Sequence, residues 1–338
     1  MTLSRRPRVA GVPTSLLTAS VTVWCAPPTP CLPGQEVWLS ADEAAKASRF
    51  RRPVDHDRFV TGRLLTRAVL GERLHQAPED VDIRLGAREG ATPGRPYVDP
   101  GPSFSIAHAG SWVLVAVVDP AGPTLPGAAA AAVPEEAGVG VVARVDVGVD
   151  VESTAPARAH LADLLDAVPA GERPADGWDA ESFTRSWVRR EAVLKAVGTG
   201  LLAPRDDLLL SRADRPAHVV HSGGLLPAPD RLVVRDLGLP AAWPSPSTGK
   251  AVALGGRDVA LGGRERHPRR SGASPSAGGG AGGGAGAGGG AGAGAGATYL
   301  AAVALRSVRG PVALGSVRVA DGVALLAQHA ARTVPDQP

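Results

Sequence analysis

Cysteine is nearly absent from this chain of 338 residues, with Cys25 and Cys31 the only two. That excludes a disulfide framework and a cysteine-rich zinc site, and it fits a reducing, cytoplasmic setting. Uninterrupted apolar runs of membrane-spanning length are also missing, so no membrane partner is expected. Arg5-Arg6 followed by Val9 to Trp24 has the outline of a secretory leader, but Pro13 and the interspersed Thr and Ser break it. Ser20 to Trp24 reads better as a strand. Lysine is scarce, at positions 46, 195 and 250 only, so a pI near 9.2 at a net charge of +3 rests on arginine. Such a balance favours an anionic partner: a phosphate-rich small molecule, an acidic protein or nucleic acid.

What remains is a globular composition, 44% hydrophobic, in a chain long enough for two lobes with cores of their own. The reading places an N-terminal lobe at 1–119, a Pro/Ala/Gly-rich linker at 120–138, and a second lobe at 139–253 that resumes at 298–338. Between its two parts, 254–297 collapses into Arg/Gly/Ser and then nearly pure Gly/Ala, a flexible insertion that cannot bury a core. That tract lacks the preceding strand and the closing Lys-Ser/Thr of a phosphate loop. Arg264 to Arg270 lacks aromatic residues on which bases could stack, so nucleic acid is not the expected partner.

In the first lobe, Ser40-Ala41-Asp42-Glu43 is a capping box, predicting a helix through Phe50. Asp57 to Leu70 continues a helical pattern ended by Gly71, with Arg63 and Arg67 on one face, read as solvated. Val81 to Leu85, Ser103 to Ile106 and Trp112 to Val118 read as strands, with His108 in a turn between the last two. The second lobe opens with a strand from Val139 to Val151, then a helical stretch around Leu161 to Val168 and a helix from Asp179 closed by Gly198 and Gly200. Leu208 to Leu210, Leu232 to Val234 and Tyr299 to Leu305 read as strands, with a further strand and a helix after Pro311.

Two segments carry the chemistry. In Gly148-Val149-Asp150-Val151-Glu152, Asp150 and Glu152 project from one face of a strand, because strand side chains alternate. The valine-rich flanks suit a central strand, where solvated acids are out of place. In the helix, Phe183, Trp187 and Leu194 form an apolar stripe that also contains Glu191, one turn before Lys195. Glu191 and Lys195 alone would be an ordinary helix ion pair. Three acids aimed inward, with that lysine beside them, suggest an oxygen-ligand site for a hard divalent metal.

These blocks, Gly148 to Glu152 and Phe183 to Lys195 followed by Gly198-Thr199-Gly200-Leu201, resemble the two signature blocks of the 4'-phosphopantetheinyl transferases. Upstream, Arg49-Phe50, the helix Arg58 to Gly71, Gly94-Arg95-Pro96-Tyr97 and Phe104 to Trp112 resemble the N-terminal blocks of the large, two-lobed type. The resemblance implies an α+β fold, a pseudo-dimer of two similar lobes with the active site at their interface, in a cytoplasmic monomer with pseudo-twofold symmetry. It implies transfer of 4'-phosphopantetheine from coenzyme A to a serine of an apo acyl- or peptidyl-carrier protein of polyketide or nonribosomal peptide synthesis, releasing 3',5'-ADP. Asp150, Glu152 and Glu191 would hold Mg²⁺ or Mn²⁺, Glu191 and Lys195 would act in catalysis, and Lys46, Arg58, Arg95, His108 and Lys195 would bind the coenzyme. Ala107 stands where serine is usual, and Arg190 where lysine is common. The alternative is a non-catalytic homologue that binds coenzyme A or a carrier.

Overall fold

The computed structural model describes residues 16–86, 95–119, 144–240, 298–308 and 310–333. The expected linker at 120–138, the start of the second-lobe strand at 139–143 and the insertion at 254–297 lie outside the described residues.

After strand β1 (Leu17–Ala26), Ser40 and Glu43 form the anticipated capping box and start helix α1 (Ala41–Ala47). It stops at Ala47, short of Phe50, where the chain tightens into bonds from Arg49 to Lys46 and from Phe50 to Ala47; Pro53, with Arg52 extended before it, then begins a new helix, α2 (Pro53–Leu74). That helix runs through Gly71 and closes at His75, whose φ of 56° is left-handed. Gly71 instead lets the chain fold back: a Cβ there would lie 2.8 Å from the Gln76 carbonyl oxygen. The strand expected at Val81 shrinks to β2 (Arg84–Leu85), paired with β3 (Pro96–Tyr97), because a 3₁₀ turn at Pro78–Asp80 ends on Val81. The hairpin of β4 (Phe104–Ala109) and β5 (Trp112–Val118) follows.

Beyond it come β6 (Val145–Ser153), α3 (Ala155–Leu164) and α4 (Ala180–Val197). Asp179 caps α4 through the Ser182 N–H, and Gly198, with a φ of 85°, ends it. Then come β7 (Leu208–Leu210), β8 (Val219–Ser222), β9 (Leu232–Leu237), β10 (Tyr299–Ser307), β11 (Val312–Asp321) and α5 (Gly322–Thr333).

The result is a mixed α+β architecture around two sheets, ordered β11-β1-β5-β4 and β6-β10-β9. One face of the first sheet, including Val115, Val117 and Phe104, packs on α2 and α5. Its other face, including Val23, Leu114 and Ala116, shares a core with Val147, Val149 and Val151 of β6 and Val303 of β10. The opposite face of the second sheet, at Ala302 and Ala304, is covered by Val188, Ala192 and Ala196 of α4. Strict alternation along β6 thus sends its valines to the inter-sheet core and Gly148, Asp150 and Glu152 toward α4.

The segment 298–338, assigned from sequence to the second lobe, divides between the sheets. β10 pairs with β6, whereas β11 crosses back to pair in parallel with β1. The alternation of Val312, Leu314, Val317 and Val319 fits either sheet, and only the tertiary pairing decides. The arginines read as a solvated helix face are likewise corrected. Arg67 is buried, with Nη2 donating to Glu43 Oε2 at 2.9 Å and Nη1 to the Val81 carbonyl at 2.7 Å.

Candidate active site

The site begins with a close approach of helix to strand. A Cβ on Gly148 would sit 2.0 Å from the Ala192 carbonyl oxygen and 2.4 Å from the Ala196 nitrogen. Only glycine therefore lets α4 lie directly on β6. The contact aligns Asp150, two residues on, with the face of α4 that carries Glu191 and Lys195. Lys195 Nζ donates to Asp150 Oδ1 at 2.7 Å, bridging helix to strand instead of pairing along the helix with Glu191.

Asp150, Glu152, Trp187, Glu191 and Lys195 line a cavity of about 310 Å³. Ile106, Ala107 and His108 from β4 complete it, so residues of both sheets meet there. Ile106, His108 and Lys195 also line an adjoining cavity of about 410 Å³ with Phe59, Arg63, Arg95, Ser105 and Thr199 among its walls. The junction is held by side chains on the β6 edge. The N–H of Val147 donates to Ser103 Oγ and that of Val149 to Ser105 Oγ, both at 3.1 Å. Arg95 donates to the Val147 carbonyl at 3.1 Å and to the Ala196 carbonyl, in the last turn of α4, at 3.0 Å.

The electrostatics are those of crowded acids. Burial, then the Asp150 and Glu191 charges, push the Glu152 carboxyl up to about 7, with Lys195 offsetting part of this. Burial also raises Asp150, against the opposing pull of Lys195, and burial with the Asp150 charge raises Glu191. Asp150 Oδ2 and Glu191 Oε1 are buried without a hydrogen-bond partner. Among the described residues, no three His, Cys, Asp or Glu side chains are arranged as a metal-ligand group. The donor chemistry nonetheless fits a hard divalent cation: every donor is a carboxylate oxygen, two of those oxygens lack a partner, and a positive charge between them would relieve the repulsion. At the mouth, partial desolvation and the cations Arg58, Lys195 and Arg63 lower the pKa of His108.

Of the residues singled out from sequence, Asp150, Glu152, Glu191, Lys195 and His108 come together in one cavity, and Arg95 joins from the adjoining one. Lys46 and Arg58 line neither. Lys46 stands 5.2 Å over the Phe59 ring, in a surface hollow with Arg49 and Phe50. Arg58 donates to the Gly110 carbonyl at 3.0 Å and to Asp55 at 2.7 Å, holding the turn that follows His108. Sequence reasoning missed Phe59 and Arg63 as cavity walls. Their i, i+4 spacing was the available signal, hidden because arginine reads by default as surface.

The geometry defines an α+β protein whose two sheets meet at a cluster of three carboxylates and a lysine, flanked by a larger cation-lined cavity. Residues 146–230, which carry those carboxylates, match the sequence model of the 4'-phosphopantetheinyl transferase superfamily. HetI of Nostoc sp., named a 4'-phosphopantetheinyl transferase, is 28% identical over 201 residues, 55% of this chain and 72% of HetI. Synechocystis slr0495, provisionally given the same name, is 27% identical over 190 residues, 53% of this chain and 65% of its own length. The psf-1 transferase of Bacillus pumilus is 25% identical over 170 residues, 48% of this chain and 60% of psf-1. The chain thus spans just under two thirds of the Synechocystis relative. No described helix is long and apolar enough to cross a membrane.

Proposed function

We propose that the protein is a 4'-phosphopantetheinyl transferase, moving 4'-phosphopantetheine from coenzyme A to a serine hydroxyl of an apo acyl- or peptidyl-carrier protein. The serine oxygen bonds to the phosphorus that bears the pantetheine. The bond from that phosphorus to the bridging oxygen breaks, and 3',5'-ADP leaves. The observation that carries this reading is the meeting of Asp150, Glu152, Glu191 and Lys195 in one cavity, within the segment that matches the superfamily.

Asp150, Glu152 and Glu191 would hold Mg²⁺ or Mn²⁺, which supplies charge neutralisation on the pyrophosphate. The remaining work falls to the chain's own groups. Lys195, fixed against Asp150, presents an ammonium to phosphate oxygens shared between the two cavities and stabilises the charge that develops as the bond breaks. Glu191, its carboxyl raised by burial and by Asp150, accepts the serine proton directly or through a water. His108 and Arg95, on the larger cavity's walls, hold the nucleotide phosphates, with Arg58 and Lys46 acting from farther out.

The reading includes a cytoplasmic monomer of two lobes related by a pseudo-twofold. Each lobe is a sheet with one long covering helix, α2 on the first and α4 on the second, and the active site lies between them. Incubation with coenzyme A, Mg²⁺ and a panel of apo carrier proteins, followed by intact-mass measurement, tests it. Addition of phosphopantetheine to a carrier supports the reading; a folded protein that modifies none of the panel refutes it.

A further inference from the structure

On the flank of α4 next to the site lies a polar cluster that the transfer chemistry does not use. Glu172, in a 3₁₀ turn between α3 and α4, is completely buried, and its carboxylate accepts three hydrogen bonds. Its Oε1 accepts from Arg190 Nη2 at 2.7 Å and from the Leu210 N–H at 3.0 Å. Its Oε2 accepts from the Ser186 hydroxyl. Arg190 is buried too; its Nη1 donates to the carbonyl of Arg205 at 2.9 Å and its Nη2 also to that of Leu208 at 2.6 Å, while its Nε is buried without a hydrogen-bond partner.

The spacing on the helix gives this cluster its meaning. Ser186 and Arg190 are four residues apart and form one stripe. Trp187, Glu191 and Lys195 repeat the same spacing one residue further on and form the stripe that lines the small cavity. The two stripes lie about 100° apart around one rigid cylinder, so whatever fixes the first fixes the second. Side-chain tips stand about 5–6 Å from the helix axis, and about 10° of rotation swings them by about 1 Å. Gly148 sets how closely α4 approaches β6, but a smooth contact of that kind does not set rotation. A buried carboxylate gripping two side chains of one stripe does.

We infer that Glu172 is a positioning residue: through Ser186 and Arg190 it fixes the rotation of α4, and so the placement of Glu191 and Lys195 opposite Asp150. The inference deepens the transferase reading, on which its kinetic consequence rests, but the geometric claim can be read without catalysis. The chain's three lysines make that possible, since protein labelled with ¹⁵N at lysine Nζ carries only three side-chain ammonium groups. Lys195, paired with a buried aspartate, is the one expected to exchange slowly enough to observe. Lys46→Arg and Lys250→Arg variants together identify the signal by elimination.

In Glu172→Gln, which keeps size and shape, the Lys195 ammonium signal is expected to move or broaden while the rest of the spectrum of the folded protein stays in place. Transfer should fall about tenfold in kcat, with KM for coenzyme A within twofold of wild type. Ser186→Ala removes one grip at smaller risk to the fold and should move the same signal in the same sense. A Leu325→Ala control, in the core under α5, should lower thermal stability and leave the Lys195 signal and kcat per folded molecule unchanged. An unmoved Lys195 signal in both Glu172→Gln and Ser186→Ala would overturn the inference, whatever the activity. If wild-type protein transfers nothing, the transferase reading falls, and the ammonium signal still decides the positioning claim.

Discussion

Gly148→Ala places one methyl group between strand and helix. The added Cβ would start 2.0 Å from the Ala192 carbonyl oxygen, where ordinary contacts begin at 3.4 Å, so α4 has to retreat by about 1.4 Å. Neither partner can absorb this by a rotamer change, because both contacts at Ala192 and Ala196 are backbone atoms. The overpacking costs about 1–3 kcal/mol. The same retreat carries the Lys195–Asp150 contact from 2.7 Å to about 4 Å, beyond hydrogen-bond range. A midpoint loss of about 2 kcal/mol corresponds to roughly 4–8 °C in Tm for a domain of this order of size. Transfer should suffer more, because a displacement of about 1 Å at reacting groups can cost about 100-fold in rate. Thermal denaturation and the intact-mass assay, run on the same preparation below the transition, measure the two effects separately. A folded Gly148→Ala protein with kcat within twofold of wild type would refute the claim that this close approach builds the site.

Other expectations follow from the same geometry. Glu152→Gln removes one of three mutually repelling carboxylates and should raise the Tm of metal-free protein while abolishing or severely reducing transfer; an unchanged or lower Tm would count against the repulsion. Mg²⁺ or Mn²⁺ at millimolar concentration should raise the Tm of wild type, more so with coenzyme A present, and a chelator should reverse it; no shift for wild type would speak against a cation site at the three acids. Arg67→Met leaves Glu43 without its main partner and takes from the Val81 carbonyl one of its two donors, at a cost of about 3–5 kcal/mol by denaturant titration. Asp179→Ala removes the α4 cap and should cost about 1 kcal/mol. The Asp179 carboxyl is held below its usual value chiefly by the Ser182 backbone N–H, so the folded state favours the ionised form. That contribution is complete above the ordinary aspartate range and is lost as pH falls through the lowered folded value. The stability gap between wild type and Asp179→Ala should therefore close in acid, and a gap independent of pH would contradict the cap.

Much of the site was legible because it depends on local rules. Alternation along β6 put Asp150 and Glu152 on one face, the register of Glu191 beside Trp187 and Leu194 turned it inward, and Gly198 marked where α4 stops. The start of α1 was equally plain, since a capping box is a four-residue motif. What escaped depends on partners far away in sequence. Arg63 and Arg67 looked like a wet helix face until Glu43, Val81 and the Phe59 ring were found against them. Glu172 sits among Gly171, Arg173 and nearby prolines, a context that reads as surface loop, and it is buried only because Arg190 and Ser186 on the following helix reach it. Gly71 read as a stop signal because a glycine that permits close backbone contact is indistinguishable, one residue at a time, from one that ends a helix.

The return of β11 to the first sheet bears on how the molecule is made. That sheet is assembled from residues near 17–26, 104–118 and 312–321, so its β1 edge has no neighbour until residues 312–321 have been synthesised, long after β4 and β5. During translation the β1–β5–β4 part must wait with its β1 side open as well as its β4 side, the kind of surface that recruits unwanted strands. A fragment ending before Val312 would carry all three carboxylates and the lysine, yet leave the β1 edge bare for good. The order of synthesis thus makes β11 the closing stitch of the first sheet, long after the residues of the acid cluster have been laid down.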